Sequence, residues 1–360
     1  MRILFIGKRE PQGRDLLTRP YGRFHHLPVE LAARGHDVVA ALASHRGAPD
    51  ATSALGGVRW IAVDARHHPL LALRRITGLA MEVQPDWIVG ISDAWYGWLA
   101  HHLARRTGAR LAVDAYDDYE SYMPWNLPLH AAWRRAVAAA DAVTVAGPTL
   151  GTLLDRHRSR RAPSAIVPMA ADPTFQPRDK RAARDALSLD PDAPLVGYFG
   201  AWARARGTAL LIDAFRQVRA HRPDARLVLT GAPPPQALAE PGVHALGFLP
   251  DARLPDALAA LDVACVVTAD TAFGRQSHPA KLCEAMASRV PVVATATAPV
   301  RWMLDGDADS LVPVGDADAI ARRVLALLAD HRPPRYPDAP RWPASVMRFE
   351  QALALADRVS

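Results

Sequence analysis

Residues 278–295, HPAKLCEAMASRVPVVAT, combine the pattern of a helix with that of a buried strand. The first part places Lys281 and Glu284 among small and apolar residues, and a continuous apolar run begins at Val290. Such runs are typical of parallel strands that are covered by helices on both faces. The stretch therefore predicts a helix followed by a strand in a parallel α/β domain.

The same alternation extends along the chain in both directions. Toward the N terminus it runs from RILFIG (2–7) to two last strands, AADAVTVAG (139–147) and SAIVPMAAD (164–172). It restarts at PLVGYFG (194–200) and continues to DADAIARRVLALLAD (316–330). Repeated strand and helix patterns are typical of βαβ units. We therefore predict an α/β protein with two Rossmann-like parallel-sheet domains.

The boundary between these domains is marked by composition. Four prolines and several charged residues occupy the stretch 172–194, so we interpret residues 173–193 as a linker. This gives an N-terminal domain over residues 1–172 and a C-terminal domain over residues 194–340. The tail, 341–360, has an amphipathic pattern long enough for a helix that crosses back to the first domain.

The composition is that of a globular protein. The chain has 360 residues, 50% of them hydrophobic, and no uncharged run long enough to cross a bilayer. We therefore expect a cytoplasmic protein, with peripheral contact to the inner face of the membrane as one option. Cys265 and Cys283 stand among apolar neighbours without metal-ligand spacing. They predict packed, reduced thiols and no metal site.

The charge balance is basic. A net charge of +6 and a sequence pI of about 9.7 permit acidic partners without naming one. Basic residues are concentrated at 66–78 and 155–164, which we interpret either as solvated surface or as a docking face for anionic lipid headgroups. We expect no nucleic acid partner, because recognition-helix patterns, zinc spacings and aromatic-interleaved basic strands are missing from the sequence.

One turn of the second domain carries residues suited to an anion. Ligands of open parallel sheets bind beyond the carboxyl ends of the strands. Gly200 ends a predicted strand there, and Arg204 and Arg206 follow it. The two arginines either clamp an anionic ligand or are solvated. The G-x-G-x-x-G and P-loop patterns are absent, which disfavours a dinucleotide oxidoreductase and a P-loop NTPase.

The other turn is the stretch around Lys281. We predict Pro279 in the first helical turn, which leaves the N–H groups of Ala280 and Lys281 to point at an anion such as a diphosphate. A lysine ammonium makes a point-charge contact with phosphate oxygens, and only three lysines occur in this arginine-rich chain. Glu284 lies on the same helix face, where it either accepts hydrogen bonds from a ribose diol or pairs with Lys281.

Taken together, these stretches resemble the retaining glycosyltransferases of the GT-B fold, in particular glycosyltransferase family 4 (glycosyl transferases group 1). The likeness covers nearly the whole chain and is carried by RILFIG with YGRFHHLPVELAARGHDVVA (21–40), VPMAADPTFQP (167–177), VGYFGAWARARGTALLIDAFRQV (196–218), HALGFLPDARLPDALAALDVACVV (244–267) and HPAKLCEAMASRVPVVAT. The resemblance implies two facing domains with a donor cleft between them. It also implies transfer of a sugar from a nucleotide-diphosphate sugar to a hydroxyl, with retention of configuration and with neither a bound metal nor a cofactor.

The resemblance also assigns residues. The family's Glu-x7-Glu motif falls on Gln276 and Glu284, so the first glutamate is replaced by an uncharged amide. The arginine and lysine of the family's donor loop fall on Ala201 and Arg206, and Arg204 is placed to replace the missing arginine. We assign catalytic roles to Lys281, Arg206 and Asp117, and donor binding to Glu284, Ala280, Gln276, His278, Gly200 and Arg204.

The first domain departs further from the family pattern. In VDAYDDYESY (113–122), Tyr116 stands where many members have a histidine, and Asp117 follows. Four acids at the end of a buried strand are hard to explain by packing alone and indicate a functional site. We therefore expect Asp117, Asp118 and Glu120 at the cleft. Capping of the next helix is the alternative for Asp118.

The resemblance implies a metal-independent transferase, which we expect to act in cell-surface glycan or polysaccharide synthesis. The basic clusters of the first domain favour a glycan or lipid-linked acceptor. Lys281, Arg206 and the helix N terminus would stabilise the departing diphosphate. Two alternatives stay open: a sugar-nucleotide epimerase of the same fold, and a protein that binds nucleotide sugars without catalysis.

Overall fold

The computed structural model describes residues 1–158, 162–203, 206–330 and 333–357. The chain divides into two compact units. The first unit is Met1–Met169 together with the C-terminal segment from Arg341 onward, and the second unit is Ala170–Pro340. Each unit contains one sheet of mainly parallel strands with helices between them, so the predicted α/β class with two Rossmann-like domains is confirmed.

The first sheet has eight strands in the order β3-β4-β2-β1-β5-β6-β7-β8. Their bounds are β1 Arg2–Lys8, β2 Asp37–Ser44, β3 Ala51–Ser53, β4 Arg59–Asp64, β5 Trp87–Gly90, β6 Arg110–Ala115, β7 Ala142–Val145 and β8 Ala165–Ile166. All neighbours pair in parallel except β3, which runs antiparallel to β4. The sequence predicted a purely parallel sheet, and β3 was missed because a strand of three residues gives almost no periodic signal.

Helices cover both faces of the first sheet. Their bounds are α1 Arg23–Ala33, α2 Pro69–Val83, α3 Ala94–Thr107, α4 Leu127–Ala139 and α5 Pro148–Asp155. α3 contacts both α2 and α4, so these three helices lie side by side. α1 connects β1 to β2, which lies on the opposite side of β1 from β5. Because crossovers between parallel strands are right-handed, α1 lies on the other face of the sheet from α2, α3 and α4.

The last helix of the chain belongs to the first unit. The segment Trp342–Asp357 forms the C-terminal helix and packs on α1, β7 and β8. The rings of Phe349 and Phe5 stack with centroids 6.1 Å apart, and Trp342 stacks on His26 at 5.1 Å. This confirms the predicted return of the tail to the first domain.

The second sheet is parallel throughout, in the order β11-β10-β9-β12-β13-β14. Its strands are β9 Leu195–Tyr198, β10 Arg226–Leu229, β11 Val243–Ala245, β12 Val263–Val266, β13 Val292–Thr295 and β14 Leu311–Val312. The helices of this unit are α6 Lys180–Ala186, α7 Thr208–His221, α8 Pro235–Leu238, α9 Leu254–Ala259, α10 Ala272–Gln276, α11 Ala280–Ala287, α12 Ala298–Met303 and α13 Ala317–Ala329. The C-terminal helix, Trp342–Asp357, is accordingly α14.

The segment 173–193, interpreted as a linker from its prolines, contains α6 and lies within the second unit. Asp262, just before β12, accepts hydrogen bonds from Lys180 Nζ at 2.8 Å and from Arg184 Nη2 at 2.7 Å. It also accepts one from the backbone N–H of Leu195 at 2.7 Å. These bonds tie α6 to the amino ends of β9 and β12.

The two cysteines are free and buried in the second unit, as predicted. Burial raises the pKa of each thiol, Cys265 and Cys283, to about 12. The thiols therefore act as packing groups and carry no charge at neutral pH. Within the described ranges, no group of three or more His, Cys, Asp or Glu side chains is arranged to hold a metal ion.

Candidate functional site

The predicted donor-site residues lie at the carboxyl edge of the second sheet. β9, β12 and β13 are neighbours there, and the segments that follow β9 and β12 carry Gly200, Arg206, Gln276 and Lys281. Side chains from different parts of the sequence are therefore brought to one edge of this unit. That edge is where parallel sheets bind their ligands.

The loop after β9 touches the helix after β12. The guanidinium carbon of Arg206 lies 5.4 Å from the centre of the Phe273 ring in α10, within the range of a cation–π contact. Gly200 lies two residues beyond β9, and the Tyr198 hydroxyl donates to the carbonyl of Ala201 at 3.0 Å. Burial raises the pKa of Tyr198 to about 12 against the opposing charge of Arg206. Arg204, the predicted substitute for the missing arginine, lies outside the described residues.

Lys281 and Glu284 form an ion pair on one face of α11. The Lys281 Nζ and Glu284 Oε2 atoms are 3.6 Å apart, and the side chains are 37% and 6% exposed. Pro279 is the residue before the helix and not its first residue, which corrects the predicted position. The first intrahelical bond runs from Leu282 N–H to the carbonyl of Pro279, so the N–H groups of Ala280 and Lys281 precede it.

The segment between α10 and α12 carries further buried polar groups. Gln276 Oε1 is buried, and no donor meets it among the residues that the structure describes. The same holds for Thr297 Oγ1, at the start of α12 just beyond β13. His278 is buried with its ring 6.0 Å from that of Trp302. Thr297 was missed in the sequence, where only its place in the run ATATAP, directly after a buried strand, could have indicated it.

In the first unit, the four acids of the stretch 113–122 have different roles. The first of them, Asp114, is part of a buried ion pair. Asp114 is fully buried and accepts from Arg23 Nε at 2.7 Å and from Arg23 Nη2 at 2.6 Å. Thr144 Oγ1 also donates to it, at 2.5 Å, and Arg23 Nη1 donates to the carbonyl of Val167 at 2.6 Å. The expectation that packing would not explain these acids is therefore wrong for Asp114, whose partner lies 91 residues away in sequence.

Two other acids of the cluster also have structural partners. Asp118 caps a short 3-10 helix by accepting from the Glu120 N–H at 3.1 Å, which confirms the capping alternative. Burial raises its pKa above the ordinary value. Glu120 receives two hydrogen bonds from Arg134, at 2.8 and 2.5 Å, and lies 3.7 Å from the His130 ring nitrogen.

Asp117 belongs to a hydrogen-bonded chain of a different kind. Tyr122 donates its hydroxyl proton to Asp117 Oδ2 at 2.7 Å, and its oxygen lies 3.1 Å from that of Tyr116. Gln12 Nε2 donates to Tyr116 Oη at 3.0 Å, which joins the loop after β1 to the end of β6. Burial and the Asp117 charge raise the pKa of both tyrosines, so their hydroxyls keep their protons at neutral pH.

A further group of polar side chains, not predicted from the sequence, lies at the same edge of the first sheet. Lys8 forms an ion pair with the buried carboxylate of Asp93, which also caps α3. The His45 Nε2 atom is 2.6 Å from the Tyr96 hydroxyl. Burial, and then the charge of Lys8, lower the pKa of His45. The position of Lys8 at the end of the first strand, in a chain with few lysines, was the available signal.

The two basic clusters differ in exposure. Arg158, in the cluster 155–164, is buried and donates to the carbonyls of Val137 and Ala140 at 2.7 and 2.9 Å. This residue therefore cannot contribute to a surface, which corrects that part of the docking interpretation. In the cluster 66–78, Arg66, Arg74 and Arg75 are all exposed.

Comparison with known families gives the class of the protein. The sequence model of the glycosyl transferase 4-like domain matches residues 23–170, and that of glycosyl transferases group 1 matches residues 193–330. The chain is 30% identical over 276 residues to a GDP-mannose-dependent alpha-(1-6)-phosphatidylinositol monomannoside mannosyltransferase of Mycolicibacterium smegmatis. That match covers 67% of this chain and 68% of the relative. The chain belongs to glycosyltransferase family 4, the glycosyl transferases of group 1.

A second relative is D-inositol 3-phosphate glycosyltransferase 2 of Catenulispora acidiphila, 31% identical over 179 residues. This match covers 44% of the chain and spans only 40% of the relative's length.

Solved structures agree on the GT-B fold. Sucrose-phosphate synthase of Thermosynechococcus elongatus matches with a TM-score of 0.77 at 20% identity, over 100% of both chains. HepE of Anabaena, solved in complex with UDP-glucose, matches with a TM-score of 0.69 at 15% identity, over 99% of this chain and 100% of that one. In the described part of the chain, no helix is both long enough and apolar enough to span a bilayer.

Proposed function

We propose that this protein transfers a sugar from a nucleotide-diphosphate sugar to an acceptor hydroxyl, with retention of anomeric configuration and without a metal ion. The observation that supports this proposal is that Arg206 and Lys281 place two cations at the carboxyl edge of the second sheet, beside groups that suit a sugar nucleotide. The buried oxygen of Gln276 suits a sugar hydroxyl as its donor. The nearly buried carboxylate of Glu284 suits a ribose diol.

The proposed reaction needs no nucleophile from the protein. The bond between the anomeric carbon and the phosphate oxygen breaks, and a bond to the acceptor oxygen forms on the same face of the sugar. The acceptor proton passes to the departing phosphate oxygen. Lys281 and Arg206 stabilise the negative charge that develops on the diphosphate, aided by the N–H groups of Ala280 and Lys281 at the start of α11.

The acceptor side of this proposal uses the first unit. Asp117 is a carboxylate held in place by the Tyr122 hydroxyl, and we assign it the task of orienting the acceptor hydroxyl through a hydrogen bond. A glycan or lipid-linked acceptor, with a role in cell-surface glycan synthesis at the inner face of the membrane, agrees with the relative that acts on phosphatidylinositol monomannoside.

The donor assignment is tested by binding of UDP, GDP, ADP, TDP and CMP to the purified protein, measured by thermal shift and calorimetry. Replacing Lys281 with methionine removes a charged contact to phosphate, which is worth about 1.5–3 kcal/mol. We therefore expect about 10-fold to 100-fold weaker binding of the preferred diphosphate. Glu284→Gln should weaken binding of the nucleoside diphosphate as well.

Lys180→Met is the matched control, because it removes the same charge at the amino edge of the same sheet. If Lys281→Met and Lys180→Met bind the diphosphate equally, Lys281 has no donor contact and the assignment is wrong.

Product analysis separates the competing functions. A transferase consumes the donor sugar only when a second substrate supplies a hydroxyl, whereas an epimerase converts the sugar nucleotide alone. A protein that binds without catalysis would show the thermal shift and no turnover with any acceptor. Tyr116 in place of the family's histidine, and Gln276 in place of its glutamate, are the observations that keep this last alternative open.

A further inference from the structure

Large apolar side chains are exposed at the starts of three neighbouring helices in the first unit. Leu70 and Leu71 lie in the first turn of α2 and are 72% and 44% exposed. Trp95 lies in the first turn of α3 and is 46% exposed. Trp125 and Leu127, at the start of α4, are 76% and 68% exposed. We call these five residues the first-turn ridge.

The topology places the ridge along one edge of the first sheet. α2, α3 and α4 follow the parallel strands β4, β5 and β6, so each begins at the carboxyl edge of the first sheet. The three helices lie side by side on one face of that sheet, as the contacts of α3 with its two neighbours require. Single exposed apolar residues are normal on protein surfaces. A row of leucines and tryptophans along one edge instead marks an interaction surface.

The charges around the ridge favour an anionic partner. Arg66, Arg74 and Arg135 are exposed, and none of their guanidinium groups pairs with a carboxylate among the residues that the structure describes. Most acidic side chains on the neighbouring segments pair with a cation: Asp50 with Arg75, Glu82 with Arg59, Asp93 with Lys8 and Glu120 with Arg134. Three others are buried or half-buried and have neutral partners or a histidine: Asp64 contacts His67, Asp117 accepts from the Tyr122 hydroxyl, and Asp118 caps a short helix. Near the ridge, the exposed charged side chains that lack an oppositely charged partner in the described ranges are therefore arginines.

We infer that the first-turn ridge is the surface by which this protein docks on a membrane that contains anionic lipids. Leucines that enter the acyl region, tryptophans at the headgroup level and arginines near anionic headgroups are the combination that binds bilayer surfaces. A second copy of the chain fits less well, because a twofold contact across the ridge would bring the unpaired arginines of both copies together.

This docking surface extends the proposed function, on which it rests only for the idea that the acceptor is a membrane lipid. The ridge lies on the carboxyl edge of the sheet that also carries Asp117. Docking along that edge would bring the Asp117 side of the first unit toward the lipid surface.

The test is flotation of the purified full chain with phosphatidylcholine vesicles, with and without phosphatidylglycerol. We expect flotation only with the anionic vesicles and its loss at high salt. Leu70→Ser should weaken binding about 10-fold, since burial of a leucine side chain contributes about that factor or more. Arg74→Gln should weaken it about 5-fold. The pair Trp125→Ser and Leu127→Ser should remove most of the binding.

Phe248→Ser and Arg322→Gln serve as matched controls, because they change an 85% exposed aromatic residue and an exposed arginine of the second unit. The inference is overturned if the protein does not float, if the ridge variants float like the controls, or if light scattering finds an oligomer that the ridge variants dissolve while vesicle binding is absent. The assay uses no nucleotide. Failure of diphosphate binding with intact flotation would therefore reject the proposed function and leave the docking surface standing.

Discussion

Replacement of Arg23 by methionine should destabilise the first unit more than any change of an exposed arginine. Arg23 and Asp114 are 1% and 0% exposed at their side chains and are joined by two parallel hydrogen bonds. Without Arg23 the buried carboxylate keeps the Thr144 hydroxyl, and the carbonyl of Val167 loses its guanidinium donor. Removal of one partner from such a buried pair costs about 3–5 kcal/mol. For a unit of this size we expect a fall in Tm of about 10 °C.

The measurement is urea unfolding followed by tryptophan fluorescence. Seven of the nine tryptophans lie in the first unit, so the signal reports mainly on that unit: Trp60, Trp87, Trp95, Trp98, Trp125, Trp133 and Trp342. The double variant Arg23→Met with Asp114→Leu removes the unpaired charge as well. It should therefore recover most of the loss, because an apolar replacement of a whole buried pair is often close to neutral.

Arg59→Met is the control, since Arg59 pairs with Glu82 at 3.3 Å with both side chains at least half exposed. Exposed pairs of this kind contribute about 0–1 kcal/mol. If Arg23→Met costs no more than Arg59→Met, or if the double variant is less stable than Arg23→Met alone, the reasoning from burial of this pair is refuted.

Two further predictions concern the second unit and the packing of the first. Burial raises the pKa of Asp262, but the hydrogen bonds from Lys180 and the Leu195 N–H, with the charges of Lys180 and Arg184, outweigh it and hold this pKa below its ordinary value of 3.8. The carboxylate therefore stabilises the fold above that value and loses its effect as the pH falls through the lower, folded-state pKa. Asp262→Asn should lower the free energy of unfolding by about 1–2 kcal/mol at neutral pH. The difference in stability from wild type should disappear in acid, as urea titrations at several pH values would measure. A difference that does not change with pH would contradict this. Gly90→Ala should lower the free energy of unfolding by about 1–3 kcal/mol, because the added Cβ would lie 2.7 Å from backbone atoms of α3. Gly78 lies at an exposed position of α2 with open space around it, so Gly78→Ala should raise the free energy of unfolding by about 0.5–1 kcal/mol. Equal effects of the two alanines on Tm would count against the close packing of β5 on α3.

Elements with a strong periodic signal were predictable from the sequence. The buried strands, the helix that carries Lys281 and Glu284, and the amphipathic tail that became α14 all have apolar patterns of sufficient length. β3 and α6 were not predicted. β3 is too short to be periodic, and the prolines around α6 hid a helix that is anchored by long-range bonds to Asp262.

Residue roles were harder to predict than elements, because a side chain's partner is set by the fold. Capping could be foreseen as the alternative role of Asp118, because capping is a local interaction. The partner of Asp114 is Arg23, on a helix near the start of the chain, and the sequence offers no local sign of it. The arginine-rich stretch 155–164 looked like surface, yet Arg158 is buried among backbone carbonyls, a use that charge patterning cannot reveal.

The return of α14 to the first unit has a consequence for synthesis on the ribosome. Residues 170–340 are made after the strands of the first sheet and before α14. At about 5–20 residues per second, this interval lasts roughly 10–30 s. Throughout it, the apolar sites that Trp342 and Phe349 later fill, beside His26 and Phe5, lack their cover. The nascent first unit therefore exposes an apolar surface until α14 is synthesised, and chaperones bind surfaces of this kind.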